Sequence, residues 1–242
     1  MIAKDFGFVL KRMNFRETSL IVTVFTKRFG KINGILKGFY TLKKEFSSSM
    51  DIFTYNEFVF YPKRSTLWLI SFADLIKDFP FLRKNLGKNS VACKFIEIVD
   101  KTLPLWDKNP LVFSLLKNSL SSLAHYRLTK LLCIFFTKFL TFCGFKPEFT
   151  KCIKCHKKLS LGFSFSISCG GLLCETCRAF YPDVFPISSS VVAIISYIQN
   201  TDFPLVLRIE PSSNDEEEIL NILNGFLTHH LNFNLFSNLY LQ

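Results

Sequence analysis

Apolar and polar positions alternate with a period of two through the first eighty residues, and from Asp78 the spacing changes to three and four. The first period belongs to strands and the second to helices, because side chains alternate across a pleated strand but return to one helix face after about 3.6 residues. Residues 6–12 alternate, residues 18–27 form a β-branched run, and Phe29-Gly30-Lys31 marks the turn into residues 32–37, which end at Gly38. A polar loop with Lys43, Lys44 and Ser47-Ser48-Ser49 follows. Residues 50–61 then form a run closed by Pro62, and residues 65–72 form the last one, after Lys63-Arg64. Five strands separated by turn signals predict a small closed barrel of the OB-fold type, although an SH3-like barrel satisfies the same periodicity.

The helical part opens with Ala92, Phe95, Ile96, Val99 and Leu103 on one face and Lys88, Lys94 and Lys101 opposite them. Pro104 ends that helix, and Pro110 starts the next, which carries Phe113, Leu116 and Leu120. A third helix, from about residue 127 to 142, buries Leu128, Leu131, Leu132, Phe135 and Phe139. Its other face turns Arg127, Lys130, Lys138 and Thr141 outward, and Gly144 caps its end. Later segments predict a helix over 190–199, a short run over 203–209, and a last helix opened by a capping box of Ser213 and Glu216. That box accounts for the acidic run at 215–218, since carboxylates are favoured at a helix N-terminus. The fold class expected is α+β with two domains. A nucleic-acid-binding barrel spans residues 1–78, and an all-α domain spans 79–242, with a metal-binding segment inserted at about 145–180.

That segment carries the strongest chemical signal. Cys152-Ile153-Lys154-Cys155 and Cys174-Glu175-Thr176-Cys177 form two Cys-x-x-Cys pairs with eighteen residues between them. Each pair makes a tight knuckle presenting two sulfurs, and the intervening loop brings the four together as ligands of a structural Zn2+. Gly162 and Gly170-Gly171 suit the tight backbone such knuckles need. A closed four-thiolate site has no open position for water or substrate, so it staples a fold and does not catalyse. His156 and Cys169 lie near enough in sequence to compete, but the regular knuckle spacing needs neither. The other thiols, Cys93, Cys133 and Cys143, sit in apolar surroundings and read as small buried hydrophobes.

Charge then narrows the partner. The chain has 242 residues and a net charge of +11, and 49% of it is hydrophobic against 20% charged, the composition of a core-forming protein. Residues 1–80 carry a net +6, residues 81–160 a net +11 and the remainder a net −6, so a polyanion meets the first two thirds of the chain. No apolar run approaches the roughly 18 residues of a membrane span, and the first residues hold no signal-peptide core. No membrane partner and a cytoplasmic location are therefore expected, where thiols stay reduced. In the barrel the basic residues are Lys11, Arg12, Arg16, Lys27, Arg28, Lys31, Lys37, Lys43, Lys44, Lys63 and Arg64, mostly at strand ends and turns. In a five-stranded barrel such residues line a groove for single strands, cations on phosphates and aromatics on bases. Phe15, Phe39, Tyr40, Tyr55 and Tyr61 could supply the stacking, although core packing is the ordinary role of any one of them. No Walker loop, dinucleotide fingerprint, nucleophile elbow or His-Glu-x-x-His occurs, so an enzyme is not expected. A basic barrel with a four-Cys knuckle also suits RNA, which leaves an RNA- or ribosome-associated zinc protein as the alternative.

The residues resemble a known family. Leu10-Lys11-Arg12, the run from Glu17 through Thr26, Gly30-Lys31 and Lys37-Gly38 are similar to the N-terminal domain of the bacterial RecO recombination mediators. Phe142-Cys143-Gly144-Phe145-Lys146-Pro147 leading into Cys152 and Cys155, Gly170-Gly171 before Cys174 and Cys177, and Phe226-Leu227 with His230-Leu231 extend the resemblance, in order, over the whole chain. It implies an OB-fold followed by a helical, zinc-carrying domain in a cytoplasmic, nucleoid-associated protein. It implies a non-enzymatic role in DNA repair and recombination after DNA damage. Such a protein binds single- and double-stranded DNA, carries out strand annealing, and helps load the RecA recombinase with RecR. A further implied partner is the acidic C-terminal tail of the single-strand-binding protein, placed most simply on the helices bearing Lys94, Lys101, Lys130 and Lys138. The chain departs from the family pattern at His156, where a glycine is common, at the extra thiol Cys169, and in an arm over 38–50 with few arginines.

Overall fold

Alternation becomes closure in the N-terminal strands. β1 (Ala3–Phe15), β2 (Ser19–Thr26), β3 (Gly30–Leu36), β4 (Tyr55–Tyr61) and β5 (Leu67–Lys77) form a closed barrel in the order β1-β2-β3-β5-β4. Every pairing is antiparallel except β3 with β5. Inward positions supply a core of Val9, Leu20, Val22, Val24, Ile32, Leu36, Phe58, Phe60, Trp68 and Ile70. Irregular register in β1 between Val9 and Lys11 bends that long strand around the barrel, letting it pair with β2 along one half and β4 along the other. This computed structural model describes residues 2–41, 50–62, 66–158 and 162–241. Lys43, Lys44, Lys63, Arg64 and the serine run at 47–49 lie outside the described residues.

One strand starts later than its pattern suggests. Residues 50–54 form a turn, with Phe53 at a φ of 74° and Thr54 N–H donating to the Asp51 carbonyl, and β4 begins only at Tyr55. Met50 and Phe53 are nonetheless buried, and Phe53 N–H donates to the Val9 carbonyl while Val9 N–H donates to that of Thr54, so this apolar turn is tied to β1 without continuing β4. Hydrophobicity alone cannot separate those two roles.

The chain divides into two units, residues 1–121 and 122–242. The first contains the barrel together with α1 (Pro80–Lys84), α2 (Leu86–Thr102) and α3 (Pro110–Ser122) up to Ser121. Within it, the loop after α2 is tied to β3: Trp106 N–H donates to the Lys31 carbonyl at 2.8 Å, and Lys31 bridges Leu105. Gly30 makes this approach possible, since its φ is 69° and a Cβ there would overlap the Asp107 backbone.

The second unit holds α4 (Leu128–Phe142), α6 (Ser189–Asn200), α7 (Phe203–Val206) and α8 (Ser213–Leu231), with the four-residue α5 (Glu175–Arg178) and the sheet β7-β6-β8. That sheet consists of β6 (Ser164–Ser166), β7 (Gly171–Leu173) and β8 (Val184–Pro186). α4 is buried on nearly every side from Lys130 to Leu140.

Several sequence expectations change here. Lys130 and Lys138 do not form a solvated face: Lys130 is buried with its Nζ 2.7 Å from Glu210, and Lys138 is buried with its Nζ on the carbonyls of Gln199 and Thr201. Lys94 of α2 is likewise 3% exposed and paired with Glu97 at 2.8 Å. Each lysine has a hydrogen-bonding partner, the condition on which a buried charge persists. The capping box of α8 is built one residue earlier, from Ser212 and Asp215, which frees Glu216 to point inward, 3% exposed. The short run after residue 202 is the helix α7. Of the three thiols expected to be buried hydrophobes, only Cys133 is buried; Cys143 is half-buried, and Cys93 is exposed beside Asn89.

Candidate metal centre and nucleic-acid groove

The cysteines come together because the segment folds as two knuckles braced on a strand. In the first, His156 N–H donates to the Cys152 carbonyl and Cys152 N–H to Lys157, closing a turn in which His156 takes a φ of 60°. That left-handed backbone suits glycine better than a residue with a Cβ. In the second, Cys177 and Arg178 N–H groups both donate to the Cys174 carbonyl. Ile153 N–H bonds to the Leu172 carbonyl at 2.8 Å, which sets the first knuckle against β7 and therefore beside Cys174. Asp183 holds the intervening turn, accepting from Ser166 Oγ and from Ser168 N–H at 2.7 Å.

The four sulfurs lie within 4.8 Å of one another, and those of Cys155 and Cys174 are 3.8 Å apart. A tetrahedron with metal–sulfur bonds of about 2.3 Å has edges of about 3.8 Å, so the cluster is sized for such an ion. Burial would raise the Cys152 thiol, but backbone N–H groups of Cys155, Cys174 and Lys154 outweigh it and bring the thiol down to about 6. The Cys177 backbone lowers Cys174 in the same way, whereas hydrogen bonding with the Cys174 sulfur pushes Cys177 up to about 12. A divalent cation at the centre would favour the thiolate at all four positions. Cys169 stands outside the set, its backbone N–H bonded to Ser166.

The barrel's cations do not gather in one place. Lys11, Arg12 and Met13 of β1, Ile21 and Thr23 of β2, Asn33 of β3, and Thr66-Leu67 line a groove of about 360 Å³. Lys11 is exposed, and Arg12 is half-buried with its guanidinium 2.7 Å from Asp51. Thr23 donates to Asn33 across the groove floor at 3.0 Å. Arg16, in the β1–β2 turn, and Lys37, after β3, are exposed at one end of the barrel. Lys27 and Arg28 sit in the β2–β3 turn at the opposite end, Arg28 bonded to the Lys4 carbonyl and near Asp5. Lys31 is only 8% exposed and is engaged by Asp100.

The proposed stacking residues divide as well. Phe39 and Tyr55 are buried, Tyr40 and Tyr61 are exposed, and Phe15 lies half-buried under the Arg16 guanidinium. Sequence reasoning passed over Met13, Thr23 and Asn33, although the alternation that turns Lys11 outward carries Met13 to the same face. Only the strand register brings Thr23 and Asn33 alongside.

No helix among the described residues is long and apolar enough to cross a membrane. Residues 1–79 match the family model described as Recombination protein O N terminal, and residues 83–238 match the one described as Recombination protein O C terminal. The chain is 33% identical over 226 residues to the DNA repair protein RecO of Caldicellulosiruptor saccharolyticus, covering 93% of this chain and 90% of that protein. With the protein of the same name from Alkaliphilus metalliredigens it shares 28% identity over 97% of both chains, and with that of Bacillus pumilus 26% over 100% of this chain and 92% of the other. Two adjoining family matches and relatives aligned almost end to end place the chain in the RecO family of DNA repair proteins.

Proposed function

We propose that this chain is a non-enzymatic mediator of recombinational DNA repair that binds single- and double-stranded DNA on its barrel and anneals complementary strands. The observation that carries the reading is the groove across β1–β3, where Lys11 and Arg12 stand beside an apolar and amide floor. A strand laid there meets cations on its phosphates and apolar and polar atoms at its bases. Arg16 and Lys37 extend the positive surface at one end, and Lys27 and Arg28 do so at the other. Lys43, Lys44, Lys63 and Arg64 belong to the same proposed contact set. Residues 1–78 carry this binding, and residues 79–242 form the remainder of the working protein.

The four cysteines hold one structural Zn2+. With all four positions filled by sulfur, the ion fixes the two knuckles and leaves no site for chemistry. Partners in this reading are RecR, the RecA recombinase that is loaded, and the acidic tail of the single-strand-binding protein, in the bacterial cytoplasm at the nucleoid. Burial of Lys94, Lys130 and Lys138 means that the tail needs other contacts than those lysines.

The test is strand annealing with complementary strands coated by single-strand-binding protein, with and without this chain. Acceleration without nucleotide or strand breakage is expected. Absence of acceleration, or tighter binding to a structured RNA than to a single DNA strand of equal length, would favour the RNA-associated alternative.

A further inference from the structure

We propose that Trp106 is a stacking platform at the barrel end beside the β2–β3 turn, so that the barrel grips a single strand by at least one unstacked base as well as by its phosphates. This deepens the DNA-binding reading and rests on it.

Trp106 holds a backbone that a bulky side chain rarely adopts, with a φ of 69°. Such conformations persist where the surroundings over-determine them, often at ligand clamps. Here the surroundings are explicit. The Trp106 N–H is bonded to Lys31, Leu105 bridges Lys31, and the Asp107 backbone rests on the Cβ-less Gly30. The loop is therefore fixed to β3 and presents its indole without an ordering cost. Leu105 lies beside Lys31, so the next residue, Trp106, turns toward the barrel end where Trp68 lies.

One face of Trp106 packs on Trp68, with ring centroids 4.7 Å apart, and Trp68 meets Phe29 edge-on at 5.5 Å. Trp68 is itself buried at 8% exposure and already closes the barrel core with Phe60, whereas Trp106 remains 37% exposed. The neighbouring β2–β3 turn offers Lys27 and Arg28, and the loop itself offers Lys108, all exposed, against the acid Asp107. Aromatic faces flanked by cations accept any base, because every base has a π-face.

The chain contains two tryptophans, which makes the test direct. Oligothymidylate of about 15 nucleotides, within the usual range of barrel site sizes, is titrated against the full chain while intrinsic fluorescence and anisotropy are read together. Quenching is expected for the unmodified protein and should vanish in Trp106→Phe, where only Trp68 emits, with affinity kept within about threefold because a ring remains to stack. Trp106→Ala should weaken single-strand binding by roughly 5- to 150-fold, the range that one lost base stack spans. An abasic strand of the same length should bind the unmodified protein and Trp106→Ala equally. Persistent quenching in Trp106→Phe, or equal affinity of unmodified protein and Trp106→Ala for oligothymidylate, would overturn the inference while leaving DNA binding intact. If Trp106→Ala melts early, Trp106→Phe and the abasic strand decide the matter. Failure of the unmodified protein to bind any DNA would instead remove the reading beneath.

Discussion

The lysines of α4 and the cations of β1 are the same chemistry at different depths. Lys130 and Lys138 lie at 1% and 4% exposure, each committed to a glutamate or to backbone carbonyls, while Lys11 on the barrel faces solvent beside a groove. In the second unit positive charge is committed to partners within the fold: Lys130 to the exposed Glu210, Lys138 to backbone carbonyls and Arg127 to the buried Glu216. In the barrel Lys11, Arg16, Lys27 and Lys37 stand exposed on strands and turns, whereas Lys31 is held by Asp100 and Arg12 by Asp51. Net charge counts both kinds together. Only the exposed kind can answer to a polyanion, so the charge available to DNA is smaller than the sequence total suggests.

The metal centre sets the largest contrast between the units. Replacing Cys174 with serine, or stripping the ion with a chelator, should collapse the knuckles and with them the sheet β7-β6-β8, because structural zinc contributes on the order of 10 kcal/mol to such modules. One zinc per chain is expected by elemental analysis, absent in Cys174→Ser. Near-ultraviolet dichroism and proteolysis should report loss of order after residue 122, while the isolated groove chemistry of the barrel is disturbed far less. A folded, zinc-free variant with normal stability would remove the metal from the account.

A second test probes the internal use of charge. Arg127 is 2.9 Å from Glu216, whose carboxylate is 4% exposed and also accepts from Thr129. Truncation to Arg127→Ala strands that carboxylate. Removing one partner of a fully buried pair costs about 3–5 kcal/mol; Arg127 is half in solvent, so about 2 kcal/mol is expected, read as a shift in denaturant midpoint at unchanged slope. Its DNA affinity should hardly move.

The third test is the converse. Charge reversal at Lys11 and Arg16 together should weaken DNA binding and flatten the dependence of log affinity on log salt by about one per lost phosphate contact, with little change in stability. Lys130→Met should leave that slope unaltered. If Lys130→Met flattens it instead, the distinction between internal and available charge fails.

Much of this is legible in the sequence. Periodicity placed all five strands and the long helices, and the spacing of Cys152, Cys155, Cys174 and Cys177 marked the four-thiol cluster, because knuckle geometry is local. What escaped depends on distant partners. Lys94 reads as a polar-face residue until Glu97 and the surrounding packing are seen, and Lys138 until the carbonyls of Gln199 and Thr201 at the end of α6 are. Ser213 and Ser212 compete for one cap, and the choice falls to the serine whose neighbours let Glu216 turn inward. Residues 50–54 carry strand-like hydrophobicity, yet Phe53 adopts a left-handed backbone that turns the chain before β4 begins. Trp106 carried no periodic signal at all, since its position follows from the contact of one loop with Gly30 and Lys31.

The smallest effect concerns Asp78, where the barrel gives way to helices. Its carboxyl is held below the usual range first by the hydrogen bond from Arg83 at 2.8 Å, and Arg83 also reaches Asp51 at 3.5 Å. A carboxylate with a depressed folded pKa contributes stability that is present above its unfolded value near 3.9 and is lost as pH falls through the lower folded value. Arg83→Ala should therefore destabilise the first unit slightly at neutral pH, by about 0.5 kcal/mol for a pair this exposed, and by progressively less as the solution is acidified below pH 4. Thermal melts of both proteins across that window should converge. A difference that persists at pH 2 would mean that Arg83 acts through its hydrocarbon packing and not through the ion pair, placing it with the internally committed cations of the second unit and not with those of the groove.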